Sequence, residues 1–181
     1  LSARDLRTLD WLDRDAAARQ ERRFGTNNDA LAFFPLQGRR DAGLLCVNHE
    51  YVVEELSFAG LAASAAENPK EREAFIREHP QAVAWMQAAH GVSVLELRRG
   101  LRGWRVVQGA PATRRITANT PMEIHGPARG DALLRTAADP TGTRVLGTFA
   151  NCAGGKTPWG TYLTAEENIQ DYFGGAKTWA G

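Results

Sequence analysis

Residues able to bind a metal ion or a phosphate group are concentrated in one stretch of the chain, Gly147–Asn168. This stretch contains a cysteine, Cys152, a lysine, Lys156, and two adjacent carboxylates, Glu166 and Glu167. A thiolate is a soft metal ligand, a carboxylate is a hard one, and the lysine adds positive charge. Together these residue types suit a metal ion that polarises an oxyanion.

Two common motifs are excluded in this stretch. The letters GKT at 155–157 resemble the end of a P-loop, but Ala150 replaces the first glycine of that motif and Pro158 stands where its helix should begin. A CxxC redox or zinc motif is excluded because no second cysteine lies near Cys152. The alternative to a metal ligand at Cys152 is a small buried apolar residue.

A second polar group flanks a β-hairpin that the sequence predicts near the N-terminus. The apolar runs Ala30–Leu36 and Leu44–Val47 are separated by a polar turn, which is typical of two antiparallel strands. The polar residues at the open end of this hairpin are Asn28, Asp29, Asn48 and Glu50. Their convergence would make an oxygen cluster able to bind calcium. The alternative is that they form turns and cap strand ends.

A longer signature runs through most of the chain. The segment NCAGGKTPWGTYLTAEEN at 151–168 closely resembles the signature of the PhoX-type alkaline phosphatases, a family of secreted bacterial phosphatases. Further segments resemble the family in the expected order: FGTNNDALAFFPL at 24–36, GLLCVNHEY at 43–51, AHGVSVLEL at 89–97, RRIT at 114–117 and TPMEIHGPARG at 120–130. The resemblance therefore covers the chain from Phe24 to its C-terminus.

The resemblance implies that phosphomonoesters are hydrolysed at a site holding iron and calcium ions. Cys152 would be the soft ligand of iron, and Glu166 or Glu167 a hard ligand of iron or calcium. The resemblance also favours metal binding over turn formation for the four residues at the hairpin's open end. Multivalent cations would clamp the phosphate oxygens and neutralise the charge that develops on them.

The resemblance also implies which side chains meet the substrate, a small phosphomonoester. Lys156 and Thr157 would contact its phosphate, and Trp159 would form a wall of the site. Lys156 and Thr157 are therefore predicted to be catalytic together with Cys152. Arg129 is a further candidate for contact with an anion, and a salt bridge to a nearby carboxylate is its alternative.

Hairpins at regular spacing predict a mainly β protein, either a sandwich or a propeller. The resemblance implies part of a β-propeller with helical insertions, and family chains are much longer, so the remainder of the propeller is an expected partner. We expect a charged lead-in helix or tail at 1–23, the N-terminal part of a propeller at 24–181, and a helical insertion at about 59–90. In that insertion Asn68 is a candidate helix cap, Pro80 should separate two helices, and His90 is expected to cap a helix end or face solvent.

The sequence predicts that the cysteine and the glutamates lie on different blades. Two adjacent glutamates in a strand point to opposite faces, so only one is expected to reach the site. If the runs at 145–150 and 160–166 formed a tight hairpin, Glu166 would lie about 20 Å from the level of Cys152. We therefore expect the segment 151–159 to be a loop joining two blades; otherwise the carboxylates serve another ion.

Composition limits the classes of function. The chain has 181 residues with 22 basic and 21 acidic side chains, and this net charge of +1 gives no support for binding nucleic acid or a membrane surface. Its two cysteines are too few for a disulfide scaffold, although one bridge between Cys46 and Cys152 is open. No signal peptide is visible, so the periplasmic or secreted location that the family implies needs an export signal outside this sequence.

Two other functions remain open at this point. One is a propeller-like module that binds calcium or a partner without catalysis. The other is a propeller hydrolase that uses calcium alone, such as a lactonase. Metal content distinguishes them, because iron with calcium favours the phosphatase and calcium alone favours the other two.

Overall fold

The structure is a computed structural model that describes residues 13–58 and 68–172, and it confirms a mainly β protein. The described helices are α1 (Ala16–Gln20), α2 (Glu54–Ser57), α3 (Pro69–Glu78) and α4 (Pro80–Ala89). The described strands are β1 (Asn28–Pro35), β2 (Ala42–His49), β3 (Gly91–Gly100), β4 (Gly103–Val106), β5 (Arg114–Ile116), β6 (Pro121–Glu123), β7 (Arg144–Leu146), β8 (Asn151–Lys156) and β9 (Tyr162–Glu166). Short 3₁₀ turns lie at Ala132–Leu134 and Ile169–Tyr172.

Among the described strands, five form one antiparallel sheet in the order β1-β2-β3-β4, with β5 paired to β3. The predicted hairpin between Ala30–Leu36 and Leu44–Val47 is present as β1 and β2. The last residues of β2 are buried, and the polar side chains of Asn48 and His49 are fully covered. Fully buried polar side chains at a strand end must find partners within the protein.

The helical segment between β2 and β3 follows the local signals in the sequence. Asn68 caps α3, and its side chain accepts a hydrogen bond from the backbone N–H of Lys70 at 3.2 Å. Pro80 begins α4 because proline has no N–H to continue the preceding helix. The inner face of α4 packs Trp85 against Phe58, with ring centroids 5.6 Å apart, in a core shared with Ala16.

The segment 151–159 differs from its prediction. Its first part is strand β8, which pairs with β9 in a tight hairpin whose turn spans 157–161, so it does not join two separate strand pairs as a loop. The reason is a shift in register: Asn151 lies opposite Glu166 and Lys156 opposite Tyr162, whereas the sequence favoured strands at 145–150 and 160–166. The expected separation of about 20 Å between Cys152 and Glu166 does not apply to this register.

Strands β6 and β7 form a separate pair, joined by a long connection that contains the 3₁₀ turn at Ala132–Leu134. Gly147 follows β7 at a φ of 53° and lies against the backbone of Thr117 and Ala118, where a Cβ would collide. This close approach leads the chain from β7 into β8. None of the helices in the described part of the chain has the length and hydropathy that a membrane-spanning segment requires.

Candidate metal centre

Three potential metal ligands from distant parts of the chain meet at one point. One ligand atom each from Asp29, Glu50 and Cys152 lies within 4.8 Å of the other two. Asp29 stands near the start of β1, Glu50 directly follows β2, and Cys152 is near the start of β8. The antiparallel pairing of β1 with β2 brings the first two together, because Asn28 lies opposite His49. The hairpin β8–β9 packs against the same strand ends and adds the thiol.

The thiol of Cys152 lies among carboxylates. Hydrogen bonds with Asp29 and Glu167, in that order, raise the pKa of Cys152 well above its usual range, and the negative charge of Glu50 adds to the effect. A thiol that donates to a carboxylate is held in its protonated form. When charged, the thiolate of Cys152 is a soft anionic ligand, and the carboxylates of Asp29, Glu50 and Glu167 are hard ones. These residues therefore fit a multivalent cation well.

The two adjacent glutamates have different partners. Glu166 accepts hydrogen bonds from Thr148 Oγ1 at 2.9 Å and from the backbone N–H of Phe149 at 3.2 Å. Glu167 reaches Cys152 instead. Neighbouring side chains at the end of a strand point to opposite sides, which explains this division. That only one glutamate reaches the site stays a prediction.

Asn48 connects the sheet to the hairpin that carries the cysteine. Its Nδ2 donates to the backbone oxygens of Cys152 at 2.8 Å and Ala153 at 3.2 Å. Its Oδ1 accepts from Tyr162 Oη at 2.8 Å and from Thr164 Oγ1 at 3.1 Å. The amide is fully buried and engaged on both sides, so in this structure it fixes the position of Cys152.

Asn28 is bonded to a buried histidine. Its Oδ1 lies 2.9 Å from Nδ1 of His49, and Nε2 of His49 lies 2.7 Å from Ser93 Oγ. Burial, and after it the positive charge of Arg115, lower the pKa of His49 to about 3. The imidazole is therefore neutral at physiological pH. Burial also lowers the pKa of Arg115 to about 10, which leaves its guanidinium charged.

Sequence reasoning did not identify the polar residues behind the cluster: His49, His90, Ser93 and Arg115. His90 ends α4 as expected, but its ring is only 3% exposed and its Nδ1 lies 2.7 Å from the backbone oxygen of Glu50. Burial lowers the pKa of His90. The one signal in the sequence is Ser93, a polar residue within the apolar run Val92–Leu97.

The residues predicted to meet the substrate lie elsewhere on the hairpin and beyond it. Lys156 is at the far end of β8, roughly 13 Å along the strand from Cys152, and its Nζ lies 3.4 Å from the backbone oxygen of Phe33. Thr157 is buried in the hairpin turn, where its Oγ1 accepts from the N–H of Thr161 at 2.9 Å. The remaining two are exposed: Trp159 by 79% in the same turn, and Arg129 in the connection before β7.

The two cysteines have separate environments. Cys46 is buried in β2 with only 6% of its surface exposed, as expected for a small apolar residue. Cys152 is half-buried at the cluster. Both are free, so the disulfide that the sequence left open is not formed in this structure.

Comparison with known proteins shows the family of the chain. The family model described as alkaline phosphatase PhoX matches residues 5–180. A similar solved structure is that of Pseudomonas fluorescens PhoX in complex with vanadate, a transition state analogue, with 41% sequence identity and a TM-score of 0.74. The match covers 91% of this chain but 26% of that chain, so this chain spans about a quarter of the relative's length. None of the curated proteins compared with the chain matches it significantly. The chain therefore belongs to the PhoX family of alkaline phosphatases.

Proposed function

We propose that this chain supplies part of the metal centre of a phosphatase that hydrolyses phosphomonoesters. One observation carries the proposal: the meeting of Asp29, Glu50 and Cys152, with Glu167 close enough to raise the pKa of the same thiol. These residues are far apart in the sequence, and buried contacts such as those of Asn48 hold them together. Family membership and the vanadate bound to the Pseudomonas fluorescens relative support the choice of phosphate esters as substrates.

Iron and calcium are the ions we propose. The thiolate of Cys152 suits iron, and the carboxylates of Asp29, Glu50 and Glu167 suit either ion. When bound, such cations supply positive charge that stabilises the transferring phosphoryl group. The chain's own residues hold the ligands in place, and the thiol must lose its proton before it can bind an ion.

The substrate contacts predicted at Lys156, Thr157, Trp159 and Arg129 stay predictions. They lie outside the cluster, and Thr157 is engaged within its own turn. A phosphate bound at the cluster could contact these side chains only if other parts of the protein enclosed both regions in one cavity. We therefore propose Asp29, Glu50, Cys152 and Glu167 as the residues of the site ahead of these four.

We further propose that the strands belong to a β-propeller whose remaining blades supply the rest of the active site. The match to about a quarter of a longer relative supports this, and among the described residues the strands form one open sheet and two short pairs. Open strand edges favour pairing with further strands. A periplasmic or secreted location follows from the family resemblance alone.

The test is elemental analysis of the purified chain together with turnover of p-nitrophenyl phosphate before and after chelation. Iron and calcium with chelator-sensitive turnover would support the phosphatase, and Cys152→Ser should then remove the iron. Calcium alone would favour a calcium-binding module or a calcium-dependent hydrolase. Metal binding without turnover would mean that residues outside this chain complete the site, and the same assay on the longer protein would check this. A longer protein that binds both metals without turnover would overturn the proposal.

A further inference from the structure

We propose that Arg115 is a positioning residue for the metal centre, acting through Ser93 to set the tautomer of His49 and thereby the orientation of Asn28 beside Asp29. The positioning role of Arg115 rests on the proposed metal centre. The hydrogen-bond relay itself is a property of the metal-free chain. The two can therefore fail separately.

The guanidinium of Arg115 is the fixed point of the relay. Its Nη2 donates to the backbone oxygens of His90 at 2.7 Å, Ala88 at 3.0 Å and Ala89 at 3.4 Å. Its Nη1 donates to Ser93 Oγ at 3.1 Å, across the pairing of β5 with β3 that sets these two residues opposite each other. A guanidinium can only donate, so Ser93 must accept this bond.

The hydroxyl of Ser93 keeps its own proton for a second hydrogen bond, and Nε2 of His49 is within reach. Ser93 Oγ lies 2.7 Å from Nε2 of His49, and the backbone N–H of Gly25 donates to the same nitrogen at 3.4 Å. The oxygen of an amide can only accept, and Oδ1 of Asn28 lies 2.9 Å from Nδ1 of His49, so Nδ1 carries the proton and Nε2 accepts from Ser93. A ring that accepts at Nε2 holds its single proton on Nδ1.

The relay ends beside the candidate ligands Asp29 and Glu50. With its proton on Nδ1, His49 donates to Oδ1 of Asn28 at 2.9 Å, which fixes that side chain next to Asp29. A second branch runs from the same guanidinium: Arg115 holds the backbone oxygen of His90, and the His90 ring donates from Nδ1 to the backbone oxygen of Glu50 at 2.7 Å. One buried cation thus supports the side chain next to Asp29 and the backbone of Glu50.

A purely structural role for Arg115 is the competing account. A cation that bonds the last carbonyls of a helix stabilises its C-terminus, and Ala88 and Ala89 are such carbonyls of α4. That account does not involve Ser93 or a particular tautomer of His49. The tautomer is therefore the measurement that separates the two accounts.

The experiment compares the wild-type chain with Ser93→Ala by long-range ¹H–¹⁵N NMR of labelled histidines in the metal-free state. We expect the wild type to show His49 protonated on Nδ1, and Ser93→Ala to add a population protonated on Nε2. In parallel, Co²⁺ is titrated and its thiolate absorption band followed. Loss of a partner behind the ligands is expected to weaken Co²⁺ binding about 10-fold or more.

Thr117→Val is the matched control. Thr117 is also a buried hydroxyl, 1% exposed, but it donates to Glu21 at 2.6 Å and takes no part in the relay. It should leave both the tautomer and the Co²⁺ affinity as in the wild type. Arg115→Met should reproduce the effect of Ser93→Ala on both readouts; if it does not fold, Ser93→Ala alone decides.

Three results would overturn the inference. A wild-type His49 protonated on Nε2 would show that the relay does not exist. An unchanged tautomer and Co²⁺ affinity in Ser93→Ala would leave Arg115 as a helix cap. The expected tautomer without Co²⁺ binding, in this chain and in the longer protein alike, would overturn the metal centre, and the positioning role with it, although the relay would stand.

Discussion

Glu167 lies close enough to Cys152, at the open end of the β8–β9 hairpin, to raise the pKa of its thiol, and this contact depends on the pairing of Asn151 with Glu166. The register decides which of two neighbouring carboxylates joins the thiol. It assigns Glu167 to the cluster and Glu166 to Thr148. A difference of one residue in this pairing would exchange the two faces.

The two glutamates provide a matched pair of substitutions. Glu167→Gln is expected to weaken Co²⁺ binding by more than the 10–100-fold typical of partners behind the ligands, because it removes a charged group from the cluster itself. Glu166→Gln keeps an oxygen that can accept from Thr148 and Phe149, so it should leave the affinity unchanged. The measurement is a Co²⁺ titration of both variants. Equal losses of affinity would contradict this division of roles.

Metal uptake at Cys152 should depend steeply on pH. Carboxylate neighbours raise the pKa of the thiol, so it is protonated in the metal-free chain, and ion binding must release that proton. The affinity is therefore expected to rise by up to about tenfold per pH unit between pH 6 and 8. Co²⁺ titrations across this range test the slope. Cys152→Ser should abolish the thiolate band and Cys46→Ala should retain it; a flat profile would argue against a thiolate ligand.

Local signals in the sequence predicted much of the fold. The hairpin of β1 and β2 and the division of the helical segment at Pro80 follow from turn residues and proline chemistry that act over a few positions. Strand β8 was missed because Gly154 and Gly155 resemble a loop, since glycine has a low strand propensity. Contacts that fix this strand come from Asn48, about a hundred positions away, and no local pattern contains them.

The candidate ligands were found in the sequence but their grouping was not. Residue type and family resemblance singled out Asp29, Glu50, Cys152 and both glutamates. Which of them meet depends on register and on buried partners such as Arg115, whose role arises only from three-dimensional packing. A charged residue in a short strand carries no sign in the sequence that it will be buried.

Asn48 should contribute to stability more than to metal binding. Asn48→Ala leaves several buried groups on the hairpin without partners, and each costs about 1–3 kcal/mol, so the free energy of unfolding should fall by about 3 kcal/mol. Tyr162→Phe removes one partner of the same amide and should cost about 1 kcal/mol. Urea unfolding with and without calcium measures both. A loss that grows with added calcium would instead indicate that Asn48 is a ligand.

The turn at Asp139 should make stability depend on acid. Hydrogen bonds from Thr141 Oγ1 and then from the backbone N–H of Arg144, followed by those of Thr143 and Thr141, lower the pKa of Asp139 to about 2. A lowered pKa means that the contribution is complete above the ordinary value of 3.8 and is lost as pH falls through about 2. Thermal unfolding from pH 6 to 2 should therefore show a smaller decline in Tm for Asp139→Asn than for the wild type. Parallel declines would contradict the assignment.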